Sequence, residues 1–216
     1  LLCYSWRSFH ELFAFGSKLL LSGLLDTIYR NIYPIVIGKL FSASSLGHYT
    51  RAHQFSEFPS SNITGIIKRV TYPVLCSIQN DDERLSNIYR RFLKLSAFVI
   101  FPMMTGLSAV SKPLIFMTIG SQWEICAILL PIICFSMMWY PIHSINLNLL
   151  QVKGRSDLFL RLEIIKKLLG VLVICITAPW GLVVMCYGSI VSSLIALVIN
   201  TCLLYTSPSP RDTERS

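Results

Sequence analysis

The first apolar stretch of the chain reads ELFAFGSKLLLSGLLDTIYRNIYPIVIG, from Glu11 to Gly38. A helix needs roughly 20 residues to cross the hydrocarbon core of a bilayer, so this stretch is long enough to span it. Lys18, Asp26 and Arg30 interrupt the apolar pattern. Because a charged side chain at mid-bilayer costs at least roughly 2.5 to 3.5 kcal/mol, a lipid-facing helix would not carry them. The stretch therefore predicts a membrane helix with a polar face turned towards protein or water.

The rest of the chain has the same apolar character. Its 216 residues are 53% hydrophobic and 14% charged, with a mean hydropathy of +0.59, whereas soluble domains carry about 25% charged residues. These values predict an all-α fold, a polytopic membrane helical bundle of about six transmembrane helices within residues 1–204. The predicted spans cover about 11–38, 49–74, 92–110, 124–150, 158–178 and 181–204.

The segments outside these spans differ in character. Residues 76–91 are hydrophilic and are predicted as a loop, and residues 112–123 as a short interfacial connection. Residues 205–216, YTSPSPRDTERS, change abruptly to Ser, Pro and charge. They resemble translated sequencing-adapter sequence, so we interpret them as an artefactual tail. The start of the chain has neither an initiator Met nor the pattern of a secretory signal, and we expect it to lie within a longer protein.

The Lys and Arg residues behind the net charge of +8 lie between the apolar stretches. They do not form one aromatic-rich face, which argues against nucleic acid as a partner. Cytoplasmic loops carry an excess of Lys and Arg, and assigning the loops alternately to two sides divides these residues thirteen to three. The three are Lys39, Arg51 and Lys112, and the thirteen are Arg7, Lys18, Lys68, Arg69, Arg84, Arg90, Arg91, Lys94, Lys153, Arg155, Arg161, Lys166 and Lys167. We therefore expect both ends of the chain in the cytoplasm.

The first two spans bring charged residues to a similar depth. Asp26 and Arg30 are four residues apart on one helix face, and so are His53 and Glu57 in the second span. Arg30 and Glu57 each lie on the order of 13 Å below the outer end of their span, at about 1.5 Å per residue. We expect them to face each other across an antiparallel hairpin. The pattern indicates either an interior polar cavity or a structural ion pair, and His53 and Glu57 suit hydrogen bonding as well as coupling to protons.

Further basic residues are candidates for contacts with an anionic substrate. Together with Arg30, Arg51 and Lys68 would make the cavity cationic. Such a cavity suits a pyrophosphate group, because Arg makes charge-assisted and bidentate contacts with its oxygens. Arg51 and Lys68 are equally compatible with long basic side chains that reach from a helix end to the membrane surface.

Enzyme and metal motifs are absent from the sequence. It has no Walker loop, no GxSxG and no dinucleotide fingerprint, and its four histidines form no HExxH pattern. The seven cysteines form no CxxC pair and lie mostly in or beside apolar stretches, as small apolar side chains do. We therefore predict no catalytic activity, no metal and no cofactor, and the sequence favours transport.

A family resemblance is carried by the run RNIYPIVIGKLFSASSLGHYTRAHQFSEFPSSNITGIIKRVTYPVLCSIQND, from Arg30 to Asp81. Two later segments add to it, GSQW at Gly120–Trp123 and KGRSDLFLRL at Lys153–Leu162. Over about residues 9–201 the chain resembles the C-terminal lobe of polysaccharide exporters of the O-antigen and colanic-acid flippase type. These exporters belong to the multidrug/oligosaccharidyl-lipid/polysaccharide exporter superfamily.

The resemblance implies an all-helical exporter whose two lobes enclose a cationic cavity that opens alternately to each side. This chain would be one lobe, with the N-terminal lobe as its partner. We expect the substrate to be an undecaprenyl-linked oligosaccharide repeat unit of the polyprenyl pyrophosphate type. It would cross the bacterial inner membrane for the synthesis of polysaccharides such as lipopolysaccharide, with H+ or Na+ as the coupling ion. From the residues themselves we expect Arg30, Asn31, Arg51 and Lys68 to bind the substrate, and Asp26, His53 and Glu57 to balance its charge or to couple transport to an ion.

Three other functions stay open on the sequence. A multidrug or other small-molecule antiporter of the same superfamily would have an acidic rather than a basic cavity. A membrane glycosyltransferase or polymerase would need catalytic acids on a large extracytoplasmic loop, and the predicted outward loops are short. The chain could also be an inert scaffold lobe, with the substrate held wholly by the other half of the protein.

Overall fold

The computed structural model describes residues 6–79, 81–153 and 156–206, with the backbone alone at residues 6–12, 14–15, 18, 82, 156–157 and 203–206. Every regular element in these ranges is helical, which confirms the predicted all-α fold. The helices are α1 (Trp6–Leu40), α2 (Ala43–Ser77), α3 (Asp82–Ala109), α4 (Ser111–Thr118), α5 (Glu124–Met137), α6 (Tyr140–Val152), α7 (Ser156–Thr177) and α8 (Leu182–Thr206). Because α8 ends at Thr206, the first two residues of the predicted tail continue that helix, and residues 207–216 lie outside the described residues.

Three segments of the described ranges are long and apolar enough to cross a membrane. They are Glu83–Ala109, Ser121–Val152 and Leu182–Cys202. The remaining long helices, α1, α2 and α7, carry charged residues within their apolar sequences. Membrane-spanning character is therefore clear for the bundle, whereas the number of six spans stays a prediction.

Two helices begin earlier than the sequence predicts, because each has a side chain that caps its first turn. Ser42 Oγ accepts a hydrogen bond from the backbone N–H of Ser45 at 3.1 Å, at the start of α2. Asp81 Oδ1 accepts one from the N–H of Arg84 at 3.0 Å, at the start of α3. Such caps satisfy backbone donors that have no partner within the helix. The predicted hydrophilic loop at residues 76–91 is thus wrong, since only residues 78–81 separate α2 from α3.

The charged first half of α3 is helical because one of its sides is apolar. Leu85 is buried in a small core with Leu75 of α2 and Leu149 of α6, and Ile88 packs against the same core. Tyr89 adds a hydrogen bond from its Oη to Asn146 Oδ1 at 2.6 Å. The polar residues between them remain on the outer side of an amphipathic helix.

The predicted span at residues 124–150 is two helices, α5 and α6, that meet at a break around Pro141. A proline has no N–H, so Pro141 leaves the carbonyl of Met137, four residues earlier, without its helical donor. Ser60 Oγ, from α2, donates a hydrogen bond to that carbonyl oxygen at 3.1 Å. A neighbouring helix thus compensates for the proline within this apolar segment.

The residues predicted as a short interfacial connection, 112–123, contain more regular structure than expected. α4 covers most of them, and a 3-10 turn at Ser121–Trp123 leads into α5. Gly120 separates the two with a φ of +97°. L side chains rarely adopt this left-handed conformation, which accounts for the glycine of the GSQW segment.

α5 lies at the centre of the bundle, where α2, α3, α4 and α8 all pack against it. α1 stands at the edge, packed against α7 and α2, and α7 packs in turn against α8. Large hydrophobic side chains such as Phe98 and Leu168 remain exposed around the bundle, on surfaces that suit contact with lipid. The charged part of α1 therefore meets α2 and α7 at the edge of the bundle.

Candidate functional site

The two charged residues of α1 form the predicted pair. Arg30 Nε donates a hydrogen bond to Asp26 Oδ2 at 2.8 Å. Four residues separate them, so the pair follows from the pitch of one helix. The side chain of Arg30 is 50% exposed and that of Asp26 is 34% exposed. The pair thus lies on an accessible edge of the bundle.

The predicted contact across the α1–α2 hairpin is also present. Arg30 Nη1 lies 3.7 Å from Glu57 Oε1, and Glu57 Oε2 lies 3.4 Å from His53 Nδ1. The structure therefore brings together Asp26, Arg30, His53 and Glu57, as the sequence predicts. Their roles in binding or coupling stay predictions.

A tyrosine that sequence reasoning missed completes the surroundings of Arg30. Tyr140, at the start of α6, accepts a hydrogen bond from Arg30 Nη2 at 2.8 Å, and its ring centroid lies 5.7 Å from Arg30 Cζ. The two residues are 110 positions apart. No local spacing signals such a contact, because it depends on the packing of α6 beside α1.

α7 supplies two further groups that sequence reasoning missed. Lys167 Nζ donates to Asp26 Oδ1 at 2.6 Å and lies 3.6 Å from Glu163 Oε2. Glu163 also forms a close ion pair with Lys166. The sequence contains a signal for the contacts within α7, because Glu163 precedes the two lysines by three and four residues in an apolar helix. It contains none for the contact with Asp26, 141 residues away.

These α7 contacts correct one sequence inference. Lys166 and Lys167 belong to the thirteen residues assigned to one side of the membrane, but their side chains are only 11% and 20% exposed and lie in ion pairs. They are therefore not loop charges. Without them the Lys and Arg residues divide eleven to three between the two sides of the membrane. The predicted cytoplasmic location of both ends is therefore unchanged.

We call this set of contacts the ion-pair cluster, and it joins α1, α2, α6 and α7. Its ionisable members include three carboxylates and three strongly basic groups, with His53 in addition. Exposure falls from Arg30 at one end to Glu163, 7% exposed, at the other. The members are Asp26, Arg30, His53, Glu57, Tyr140, Glu163, Lys166 and Lys167.

Three tyrosine rings pack beside the cluster, on the side that faces the interior of the bundle. Tyr33 of α1 and Tyr49 of α2 stack nearly parallel, with centroids 6.2 Å apart. Tyr29 packs edge-on against Tyr33 at 6.4 Å, and Lys167 Nζ lies 4.4 Å from the Tyr29 centroid. A cation over an aromatic face is attracted to the negative charge of the ring. These rings give the cluster a rigid wall between α1, α2 and α7.

The remaining predicted residues lie elsewhere or bond locally. Asn31 Nδ2 donates to the carbonyl of Thr27 at 2.8 Å within α1. Arg51 Nη1 donates to Gln54 Oε1 at 3.1 Å, and its position two residues before His53 places it about 200° round the helix from that residue. Lys68 is exposed on α2 and lies about 16 Å along the helix from Glu57. The structure therefore does not gather Arg51 and Lys68 into the cluster.

The side chains that the structure describes contain no group of three His, Cys, Asp or Glu residues placed to hold a metal ion. Among the described cysteines, Cys126, Cys134 and Cys186 are buried free thiols.

Comparison with known proteins places these features in context. A family model described as polysaccharide biosynthesis protein matches residues 2–128, a segment that contains the α1 and α2 members of the cluster. The chain is 27% identical over 203 residues to an uncharacterized membrane protein in the cps region of Klebsiella pneumoniae, covering 92% of this chain and 40% of that protein.

Two other relatives have more informative names. The chain is 25% identical to the lipopolysaccharide biosynthesis protein WzxC of Escherichia coli, covering 88% of this chain and 38% of that protein. It is 28% identical to the succinoglycan biosynthesis transport protein ExoT of Rhizobium meliloti, covering 41% of this chain and 18% of that protein. The chain thus spans less than half the length of each relative. No solved structure matches it.

Proposed function

The chain belongs to the polysaccharide biosynthesis protein family, and we propose that it forms one lobe of an exporter for lipid-linked oligosaccharides. In this proposal the exporter moves repeat units linked to a polyprenyl pyrophosphate across the bacterial inner membrane by alternating access. The names of WzxC and ExoT, which mention lipopolysaccharide biosynthesis and succinoglycan transport, support this class of substrate.

One observation carries the proposal: the exposed end of the ion-pair cluster lies where α1 meets α2. Arg30 is 50% exposed and Glu57 is 40% exposed, on helices whose other exposed side chains include Leu24, Ile28 and Phe58. A charged group facing lipid at mid-bilayer would cost at least roughly 2.5 to 3.5 kcal/mol. A water-filled cavity or a second lobe over this edge removes that cost.

The length of the relatives supports a second lobe. The chain accounts for 40% and 38% of the two relatives that it matches over most of its length. The rest of such a protein has room for another bundle of similar size. A cavity between two bundles would turn the edge formed by α1 and α2 inwards.

The proposed roles follow from chemistry. Arg30 binds the pyrophosphate through charge-assisted hydrogen bonds, while Asp26 and Glu57 balance its charge and His53 or Glu57 exchanges H+ or Na+ as the lobes move. Asn31 and Lys68 contact the substrate at other points along the cavity, whereas Arg51, on the far side of α2 from His53, is left out of the proposed site. The excess of Lys and Arg in the proposed inner loops supports cytoplasmic ends for this lobe.

The antiporter and the glycosyltransferase have less support than the exporter. Three carboxylates and three basic groups balance each other in the cluster, whereas a cavity for cationic drugs would carry an excess of carboxylates. Catalysis by a glycosyltransferase would need an acid and its partner on a large outward loop. The proposed exporter needs neither feature, so we propose transport without catalysis.

The test is transport of a fluorescent undecaprenyl-pyrophosphate oligosaccharide in proteoliposomes that contain the full-length exporter. Arg30→Ala removes the proposed pyrophosphate contact and should lower the rate at least about tenfold, because hydrogen bonds to charged groups contribute roughly 1.5 to 3 kcal/mol. Glu57→Gln should also lower the transport rate, since it removes the carboxylate that is proposed to balance charge or to exchange H+ or Na+.

Arg84→Ala is the matched control, because Arg84 is an exposed arginine at the start of α3, outside the cluster. It should transport at the wild-type rate. Unchanged transport in both Arg30→Ala and Glu57→Gln would contradict the site assignment.

A further inference from the structure

Each nitrogen of the Arg30 guanidinium has a neighbouring partner in this structure. Nε is paired with Asp26 at 2.8 Å, Nη2 with Tyr140 at 2.8 Å, and Nη1 with Glu57 at 3.7 Å. Nε carries a single N–H, so an anionic group can make a side-on bidentate contact with Arg30, through Nε and one Nη, only by displacing Asp26. The fate of the displaced carboxylate then decides whether the exchange is favourable.

Of the two carboxylates whose side chains are described on α1 and α2, Asp26 and Glu57, only Asp26 has a second strong base. Its Oδ2 accepts from Arg30 and its Oδ1 accepts from Lys167 at 2.6 Å. The two bases approach separate oxygens from separate helices, α1 and α7. When Arg30 leaves, Asp26 keeps a charged hydrogen-bond partner, so the exchange avoids an unpaired charge at membrane depth.

Lys167 is held firmly in the position from which it pairs with Asp26. Its Nζ lies over the Tyr29 ring at 4.4 Å and 3.6 Å from Glu163 Oε2. Its side chain is 20% exposed, against 50% for Arg30. Lys167 is thus the inner partner of Asp26, and Arg30 is the outer partner that a ligand can reach.

We propose that Lys167 is a positioning residue that makes Arg30 available to an anionic substrate by holding the carboxylate of Asp26. This inference rests on the proposed function and assigns a role in it to α7. Without Lys167, Asp26 has Arg30 as its remaining strong base and retains it, so the substrate must compete against an otherwise unpaired carboxylate.

The experiment measures binding of geranylgeranyl pyrophosphate to the full-length exporter in nanodiscs, with geranylgeraniol as the uncharged control. Lys167→Met should weaken pyrophosphate binding about tenfold or more and leave binding of the alcohol unchanged. Lys167→Arg, which keeps the charge, should bind within about threefold of the wild type. Arg161→Gln is the matched control, because it removes an exposed positive charge from the same helix.

The decisive variant combines Lys167→Met with Asp26→Asn. The neutral amide that Asp26→Asn introduces no longer holds Arg30 by charge, so the double variant should regain pyrophosphate binding to within about threefold of the wild type. A purely structural role of Lys167 would not produce this rescue. If Lys167→Met does not fold, Asp26→Asn alone tests the same point, since it should bind pyrophosphate at least as tightly as the wild type.

The outcomes separate this inference from the proposed function. Loss of binding in Arg30→Ala together with wild-type binding in Lys167→Met would overturn the role of Lys167 and leave the proposed site intact. Wild-type binding in Arg30→Ala would overturn the proposed site itself. Weak binding in the double variant, or in Asp26→Asn alone, would also overturn the role of Lys167.

Discussion

Gly170 of α7 lies directly against the ring of Tyr29 on α1. A Cβ atom built on Gly170 would lie 2.6 Å from Tyr29 Cζ and closer still to its Oη, well inside van der Waals contact. The same ring faces Tyr33 on one side and carries Lys167 on another. The close approach of α7 to α1, which accompanies the contact between Lys167 and Asp26, therefore favours glycine at this position, because any side chain there would have to displace the Tyr29 ring.

We expect Gly170→Ala to destabilise the bundle by about 1 to 3 kcal/mol, because the added methyl group overpacks a filled site. The measurement is the thermal midpoint in detergent. Gly106→Ala is the control: no atom lies within 4 Å of its added Cβ, so it should be neutral or slightly stabilising in mid-helix. The cost of Gly170→Ala should also shrink in a Tyr29→Leu background, and an equal cost in both backgrounds would contradict the contact.

Ser60→Ala should lower the free energy of unfolding by about 1 to 3 kcal/mol, because it leaves the Met137 carbonyl at the α5–α6 break without a donor. Chemical denaturation in mixed micelles would measure the loss. Ser61→Ala is the matched control, since Ser61 is exposed and bonds weakly, at 3.4 Å, to its own helix. Equal effects of the two substitutions would show that the break does not depend on Ser60.

Asn31→Cys should react with a membrane-impermeant thiol reagent in the full-length exporter, because the exposed polar face of α1 borders the proposed cavity. The seven native cysteines are first replaced. Phe98→Cys is the control, since Phe98 is 78% exposed on α3 among apolar neighbours and should face lipid. If Asn31→Cys, like Phe98→Cys, fails to react in every state of the transporter, the edge formed by α1 and α2 is not accessible to water.

Trp180→Cys tests the number of spans. Trp180 is 76% exposed in the connection between α7 and α8. With the start of the chain in the cytoplasm, six spans place Trp180 on the outer side of the inner membrane. If only the three most apolar segments cross, Trp180 lies in the cytoplasm. We expect labelling of intact cells at Trp180→Cys and none at Glu83→Cys, and the opposite result at Trp180 would reduce the span count.

The contacts that were predicted correctly from the sequence are those that depend on local patterns. The pairs Asp26–Arg30 and His53–Glu57 depend on the pitch of a single helix, and the contact between Arg30 and Glu57 spans only a short hairpin. The start of α3 was missed because its charged residues hid an amphipathic helix whose apolar side packs on Leu75 and Leu149.

The amino-acid sequence by itself determined that this chain is a helical membrane protein with charged residues on its first two long helices. Hydropathy and helix pitch are properties of neighbouring residues, so they can be read without knowledge of packing. Only the tertiary structure decided that Tyr140 and Lys167, which lie 110 and 141 residues from their partners, complete the cluster. Which helix packs against α1 depends on close approaches such as that of Gly170 to Tyr29, and no local pattern contains that information.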